Sequence, residues 1–418
     1  MNEPGRTSLV IVSRGRTEML ERCLAAVMQL DHPAFEVVVV ADPEAAVAVR
    51  AQGLPVKLAT CTEANIAVAR NIGIGLAAGE IVAFLDDDAV PEPTWLSRLA
   101  AAYDDPDVAA AGGFVRGRNG ISLQWAGGTV DRLTRPGKLD VPRGGISRHR
   151  GRPGLAIEIK GCNCSYRRDV LVRLGGFDPA LDYYLDETEL NLRLAHRGLV
   201  TALVPLAQVH HAKAASPRRG ADLAPLSLFE VGASTATVLR RHGVTEIERA
   251  SVLAWLEDDR RRQLLEMMVD GRLEPGDVGR LLATLAEGWR AGSVRRLPPP
   301  ARIAAEPEAP FRRFLAGARE GRVIAGMSWR ASRVRSAAQA EVDAGRIATA
   351  FLMSPTPVAH RMEFRPEGYW LQRGGLFGRS DRSGPPIQPW RFGPRVRQET
   401  RRIAPFRPVG PATPGVRP

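Results

Sequence analysis

Cysteine, lysine and long apolar runs are all scarce in this chain of 418 residues. The four cysteines, Cys23, Cys61, Cys162 and Cys164, are too few and too scattered for a disulfide scaffold. Cys162-Asn163-Cys164 has no second pair to complete a four-ligand zinc set, so all four read as reduced, buried thiols. No window approaches the roughly 18 uninterrupted apolar residues of a bilayer span. Met1 to Ser8 lacks the basic start and apolar core of a secretory leader, and the expectation is a cytoplasmic chain.

What is present, 44% hydrophobic and 25% charged residues, describes a globular chain with more than one core. Its net charge of +12 is localised: from Ala301 onward there are 21 Arg against 9 Asp and Glu, so the first 300 residues are neutral. Only Lys57, Lys138, Lys160 and Lys213 supply lysine, which points to a coding bias toward arginine as well as to selection for a polyanion surface. A basic end favours anionic partners, and peripheral contact with an anionic membrane at its inner face is the one to test. The tail carries no recognisable nucleic-acid module, which argues against that partner.

The order of apolar segments predicts an α/β fold. Ser8 to Ser13 is a short strand; Leu20, Leu24, Val27 and Met28 fall at helical spacing; Phe35 to Val40 is a second, β-branched strand. Val56 to Thr60, a helix over Ala64 to Ala78, and a strand over Glu80 to Leu85 continue the alternation. Strands separated by helices imply a mainly parallel sheet with ligands beyond its carboxyl ends. Gly112 to Gly161 reads as strands and long loops, Glu187 to Arg197 as a buried segment compatible with helix, and Leu223 to Arg241 as a further helix. The expected divisions are 1–243, a catalytic unit; 244–296, a helical segment without recognisable chemistry; 297–310, a Pro-rich linker; 311–382, a small β-containing module; and 383–418, a basic tail rich in Pro, Gly and Arg, draped on the surface or disordered.

The sharpest chemical feature is Asp86-Asp87-Asp88 at the end of the strand Ile81 to Leu85. Adjacent carboxylates repel, and a divalent cation gripping a diphosphate relieves them; a solvated acidic turn before a helix is the plainer alternative. Ala69-Arg70-Asn71 precedes it, and downstream come Gly161-Cys-Asn163-Cys-Ser165, Gly175-Gly176-Phe177-Asp178, the acid pair Asp186-Glu187, and His210-His211. This ordered set resembles the family 2 glycosyltransferases over about Ser8 to Gly243. The resemblance implies a GT-A fold, a nucleotide-diphosphate sugar donor, Mn²⁺ or Mg²⁺, and inversion at the anomeric carbon.

Carried over by position, Asp86 falls near the donor ribose, Asp88 binds the metal, and Asp87 is the variable middle residue beside the donor. Asp42 matches the acid near the nucleobase, although the family's run of acids there is reduced to Ala41-Asp42-Pro43. Arg70 matches a position beside the donor, with a surface salt bridge as its alternative. Glu187 takes the place of the catalytic base and Asp186 that of its neighbour; the order of the pair is reversed relative to the family, and helix-start stabilisation is the competing account of both. His211 is preferred to His210 as a metal ligand. Tyr183 and Tyr184 either stack on an acceptor sugar or pack the fold, and packing is the preferred reading. Within that resemblance the acceptor is a saccharide or lipid-linked hydroxyl in surface polysaccharide or glycolipid assembly. Two rivals stand beside it: a sugar nucleotidyltransferase, for which Ser13-Arg14-Gly15-Arg16 is too short a phosphate loop, and a noncatalytic scaffold working through its basic tail.

Overall fold

The first strand, β1 (Thr7–Ser13), alternates its side chains between two cores, with Leu9 and Ile11 on one face and Val10 on the other. This two-sided burial is what a central parallel strand requires. The computed structural model describes residues 5–212, 215–216, 218–300 and 302–410. Lys213, at the end of the histidine motif, lies outside them.

From β1 the chain runs through α1 (Thr17–Val27), β2 (Phe35–Ala41), α2 (Pro43–Ala51), β3 (Lys57–Thr60), α3 (Ile66–Leu76) and β4 (Ile81–Asp86). These strands lie parallel in the order β4-β1-β2-β3. Next come β5 (Ala89–Pro91), α4 (Trp95–Ala100) and β6 (Val108–Arg116), and then a run of short strands: β7 (Leu123–Trp125), β8 (Gly128–Asp131), β9 (Pro136–Gly137), β10 (Ser147–Arg150), β11 (Leu155–Glu158) and β12 (Cys164–Arg167). Helices α5 (Arg168–Leu174) and α6 (Asp186–His196) precede the long β13 (Val200–His211). The ten-stranded sheet has the main order β10-β13-β6-β12-β4-β1-β2-β3, with β5 on β13 and β7 on β6. β12 runs antiparallel to both neighbours, β6 and β13 restore the parallel sense, and the mainly parallel α/β architecture predicted above is what forms. Helices α1, α2 and α4 pack on one face, and α3, α5 and α6 on the other.

Beyond the sheet, α7 (Phe229–Arg241), α8 (Glu246–Val269) and α9 (Pro275–Val294) share a separate apolar core. α7 and α9 touch backbone to backbone: a Cβ at Gly288 would sit 1.9 Å from the carbonyl oxygen of Phe229, so only glycine fits there. The Pro-rich stretch that follows is no free spacer. Its backbone is strapped along the catalytic sheet by Arg241 on the Pro298 carbonyl (2.8 Å), Arg168 on Ala304 (3.1 Å), the Glu308 amide on Gly75 (3.0 Å) and Lys57 on Ala309 (3.1 Å).

The C-terminal module comprises β14 (Gly321–Met327), α10 (Ala331–Asp343), β15 (Ile347–Ser354), β16 (Arg361–Phe364), β17 (Trp370–Gly375) and α11 (Phe392–Ile403), its sheet ordered β14-β15-β17-β16. One face of that sheet packs on α10, and the other, through Val323, Phe351, Met353 and Trp370, meets Ala26, Val90 and Ile121 of the catalytic unit. The basic end therefore differs from the draped tail expected of it. It contains a helix, and two of its arginines, Arg395 and Arg407, are fully buried in ion pairs with Glu399 and Glu92. Among the described residues no helix is long and apolar enough to cross a membrane.

Candidate active site

The carboxyl ends of β4 and β13 open onto a cavity of about 440 Å³ lined by Arg70, Asp86, Lys160, Cys162, Asp186, Glu187 and His211, among others. Each of these residues is delivered by an element whose local sequence fixes it. Asn65 caps α3 through the Val68 amide (3.0 Å), which places Arg70 on the helix's buried side. Asn71, next along, exchanges hydrogen bonds with both backbone groups of Phe177 (2.8 Å each), tying α3 to the Gly175-Gly176-Phe177-Asp178 turn. The acid pair opens α6 directly after Tyr184 and Leu185, two consecutive non-glycine residues with positive φ (74° and 64°). Left-handed backbone at such residues costs energy and persists where the surroundings enforce it, frequently at functional sites.

Arg70 is the hub. Its guanidinium is 2% exposed and reaches Asp186 Oδ2 at 2.5 Å, Asp86 Oδ1 at 3.2 Å and the Gly161 carbonyl at 3.2 Å, while the rings of Phe177 and Phe84 lie 5.1 and 5.8 Å away. Burial works against its charge, but Asp186 and Asp86 more than compensate and hold it protonated. The surface-bridge alternative for Arg70 does not match a residue so enclosed. Burial likewise pushes Asp186 above the usual carboxylate range, Arg70 notwithstanding. With Asp186 turned to Arg70, Glu187 is the half-buried member of the pair and lines the cavity.

The three strand-end acids go different ways. Asp86 faces the cavity. Asp87, expected beside the donor, is fully buried: it takes a hydrogen bond from Ser13 Oγ (2.7 Å) and pairs with Arg16 (2.6 Å), and burial, opposed by Arg16, carries it up to about 7. Asp88, expected as the metal ligand, is 2% exposed and does not line the cavity; its oxygens meet Arg16 Nη1 (3.0 Å) and His211 Nε2 (3.0 Å). Arg16, in the loop after β1, thus serves acids rather than an open phosphate site. The side chains whose donor atoms converge are Asp86, Cys162 and His211, all within 4.8 Å of one another. A carboxylate, a thiol and an imidazole make a chemically sound set for a divalent cation.

Strand alternation separates the two histidines. His211 faces the acids; burial disfavours its charge, yet Cys162 and Asp88 raise its proton affinity well above the ordinary value. His210 points to the opposite side, bonded to Glu92 (2.8 Å) and 5.0 Å from the Trp370 ring, with burial lowering it to about 4. Asp42 caps α2 through the Glu44 and Ala45 amides (3.0 and 3.1 Å) and accepts from the Gly15 amide (2.7 Å); it does not line the cavity. It stands directly after β2 and faces the loop after β1.

Several cavity residues carried no sequence signal. Lys160, one of only four lysines, pairs with Glu158 (2.5 Å) on the cavity wall. Trp255, Asp259, Arg260 and Gln263 come from α8 and close the far end beside Tyr183 and Tyr184, so the helical segment thought to lack chemistry is part of the site.

The chain is 28% identical to the O-antigen biosynthesis protein RfbC of Myxococcus xanthus over 229 residues, 52% of this chain and 18% of the relative. It is 30% identical to the succinoglycan biosynthesis protein ExoM of Rhizobium meliloti over 184 residues, 42% of this chain and 55% of the relative. The chain thus spans less than two thirds of the length of either. A solved mannosyltransferase from Pyrobaculum calidifontis, in complex with GDP-Man and Mn²⁺, aligns over 70% of this chain and 88% of its own at 19% identity and a TM-score of 0.42. The family model for glycosyl transferase family 2 matches residues 8–175, the stretch from β1 through the Gly175 turn that carries the strand-end acids, Arg70 and Cys162.

Proposed function

We propose that this chain is an inverting, cation-dependent glycosyltransferase that moves a sugar from a nucleotide-diphosphate donor to an acceptor hydroxyl. The observation that carries the reading is the Arg70 bridge. One buried guanidinium holds Asp86, on the donor side, and Asp186, on the acceptor side, at 3.2 and 2.5 Å, and leaves Glu187 presented to the cavity between them. A divalent cation held by Asp86 and His211 would supply positive charge against the diphosphate.

Glu187 then acts as general base. It accepts the acceptor hydroxyl's proton while that oxygen attacks the anomeric carbon, and the bond from that carbon to the diphosphate oxygen breaks with its electron pair leaving on the diphosphate. Attack from the side opposite the leaving group inverts the centre. Lys160 stands on the same wall, where Glu158 and Glu187 favour its charged form against burial. The acceptor lies under α8, where Trp255, Tyr183 and Tyr184 offer ring faces and Asp259, Arg260 and Gln263 offer hydrogen-bonding groups, a combination suited to a glycosyl unit. Relatives named for O-antigen and succinoglycan biosynthesis favour a polysaccharide or lipid-linked acceptor.

A mass-spectrometric screen of nucleotide sugars, each with a panel of saccharide acceptors and Mn²⁺ or Mg²⁺, tests the reading. The expected result is transfer from at least one donor, lost on chelation. Failure of every nucleoside diphosphate to bind, with or without cation, would overturn it.

A further inference from the structure

Cys162 stands out among the cavity residues because no hydrolytic or redox step is required of it, yet it is held in place from both sides. Gly161 before it gives its carbonyl to Arg70, and a side chain there would strike the guanidinium, 2.7 Å from a built Cβ. Asn163 after it is fully buried and locked by three hydrogen bonds: from Trp95 Nε1 (2.7 Å), and to the carbonyls of Phe114 and Ala207 (3.0 Å each). The backbone between these anchors has little freedom. The thiol it carries is 5% exposed and opens to the cavity beside His211 and Asp86. The His211 ring adds a buried Nδ1 with no hydrogen-bond partner among the described residues.

We propose that Cys162 is a sulfur ligand of the cation site, completing a carboxylate, thiolate and imidazole set with Asp86 and His211. The proposal takes its location from the donor-site reading above and adds the identity of the third ligand and the class of cation. Ligands on one small cation stand roughly 3.5 Å apart, given bonds of about 2.0–2.3 Å, so donors now within 4.8 Å need a side-chain adjustment of about an ångström to share it. An all-oxygen set suits Mg²⁺, whereas thiolate and imidazole shift preference toward softer ions such as Zn²⁺, Co²⁺ or Cd²⁺. The Asp88 carboxylate, bonded to His211 Nε2, then serves to orient the imidazole, as carboxylates beside metal-bound histidines do. On binding, the thiol proton is released to solvent and the sulfur lone pair is donated to the cation; no electron is transferred.

Cobalt(II) titration of the full chain under anaerobic conditions reads the sulfur bond directly. Wild type should develop a near-ultraviolet thiolate-to-cobalt charge-transfer band. Cys162→Ser should abolish that band while circular dichroism stays native, and it should weaken Cd²⁺ binding by at least about tenfold with a smaller effect on Mg²⁺. Cys61→Ser, outside the cavity, should leave the band unchanged. The inference is overturned if Co²⁺ fails to bind, binds without the band, or keeps the band in Cys162→Ser. Nucleotide-sugar transfer by a Cys162→Ser enzyme with unaltered cation preference would remove the inference and leave the proposed function standing. The band without any nucleotide binding would do the reverse.

Discussion

Replacing Arg407 with alanine should uncouple the C-terminal module from the catalytic unit. Arg407 is fully enclosed, gives two hydrogen bonds to Glu92 (2.8 and 2.5 Å), and lies 3.6 Å over the Trp370 ring. Glu92 is 2% exposed and also holds His210. Burial alone would raise Glu92, but Arg407 and His210 bring it down to about 2 from an ordinary 4.5. That difference corresponds to roughly 3 kcal/mol, and removing one partner of a buried pair typically costs about 3–5 kcal/mol. Because the folded value lies below the unfolded one, this stability is complete above the ordinary value of 4.5 and is lost as pH falls through about 2. Arg407→Ala should therefore lower the denaturation midpoint by an amount in that range at neutral pH and speed hydrogen exchange in α11 and β17. The positive charge of Arg407 also holds His210 down, so the variant's His210 should titrate at higher pH, and the deficit should shrink in mildly acidic buffer as the imidazolium replaces the lost cation. Arg407→Met with Glu92→Gln should recover most of the loss, since no buried charge is then left unpaired. A cost below about 1 kcal/mol for Arg407→Ala, or an equal cost in the double variant, would refute the reasoning.

Three further outcomes follow from the cavity. Glu187→Gln should keep donor affinity and lower kcat by about 10²–10⁴-fold, the usual worth of a positioned base; the same behaviour in Asp186→Asn instead would move the base to its neighbour. Arg70→Lys retains charge but not the fork that spans Asp86, Asp186 and Gly161, so donor binding measured by calorimetry and kcat should both fall, by about tenfold or more. Trp255→Ala should raise KM for the acceptor by about 3–10-fold through loss of a ring face while donor binding is unchanged, and a change in donor binding alone would remove α8 from the acceptor side.

Much of the fold is legible in the sequence because the catalytic sheet obeys local rules. Phe35 to Ala41 is a buried run built on the four valines Val37 to Val40, and Leu20, Leu24 and Val27 form a helical stripe, so period and propensity agree. Around the C-terminal module those rules part company. α10 has only the small Val334 and Ala338 buried, and α11 carries five charged residues in twelve, with Pro394 in its first turn, so the apolar face of each is too slight for a pattern to reveal. The buried pair that anchors this end joins residues remote in sequence: Glu92 is 315 residues from Arg407. Composition counts arginines; it cannot distinguish a solvated one from one buried over Trp370.

The site shows the same division between order and orientation. Of the residues the motifs single out, Arg70, Asp86, the acid pair and His211 come to one cavity, while Asp42, Asp87 and Asp88 do not line it. Orientation within the motifs depends on neighbours that the motifs omit. Strand alternation says that His210 and His211 face opposite ways, but Trp370 and Glu92 decide which of them faces the module. The acids Asp86 and Asp88 offer similar chemistry, and Arg16, three residues beyond β1, draws Asp87 and Asp88 inward and leaves Asp86 at the cavity wall. Cys162 replaces the missing carboxylate in the converging set. If that exchange is what the chain uses, Arg16→Ala should free the second oxygen of Asp88 for the cation and move the site's preference back toward Mg²⁺, because an added oxygen ligand hardens the set. Competition between Mg²⁺ and Cd²⁺ for the Arg16→Ala chain measures this, and an unchanged preference would show that Asp88 is kept from the cation by something other than Arg16.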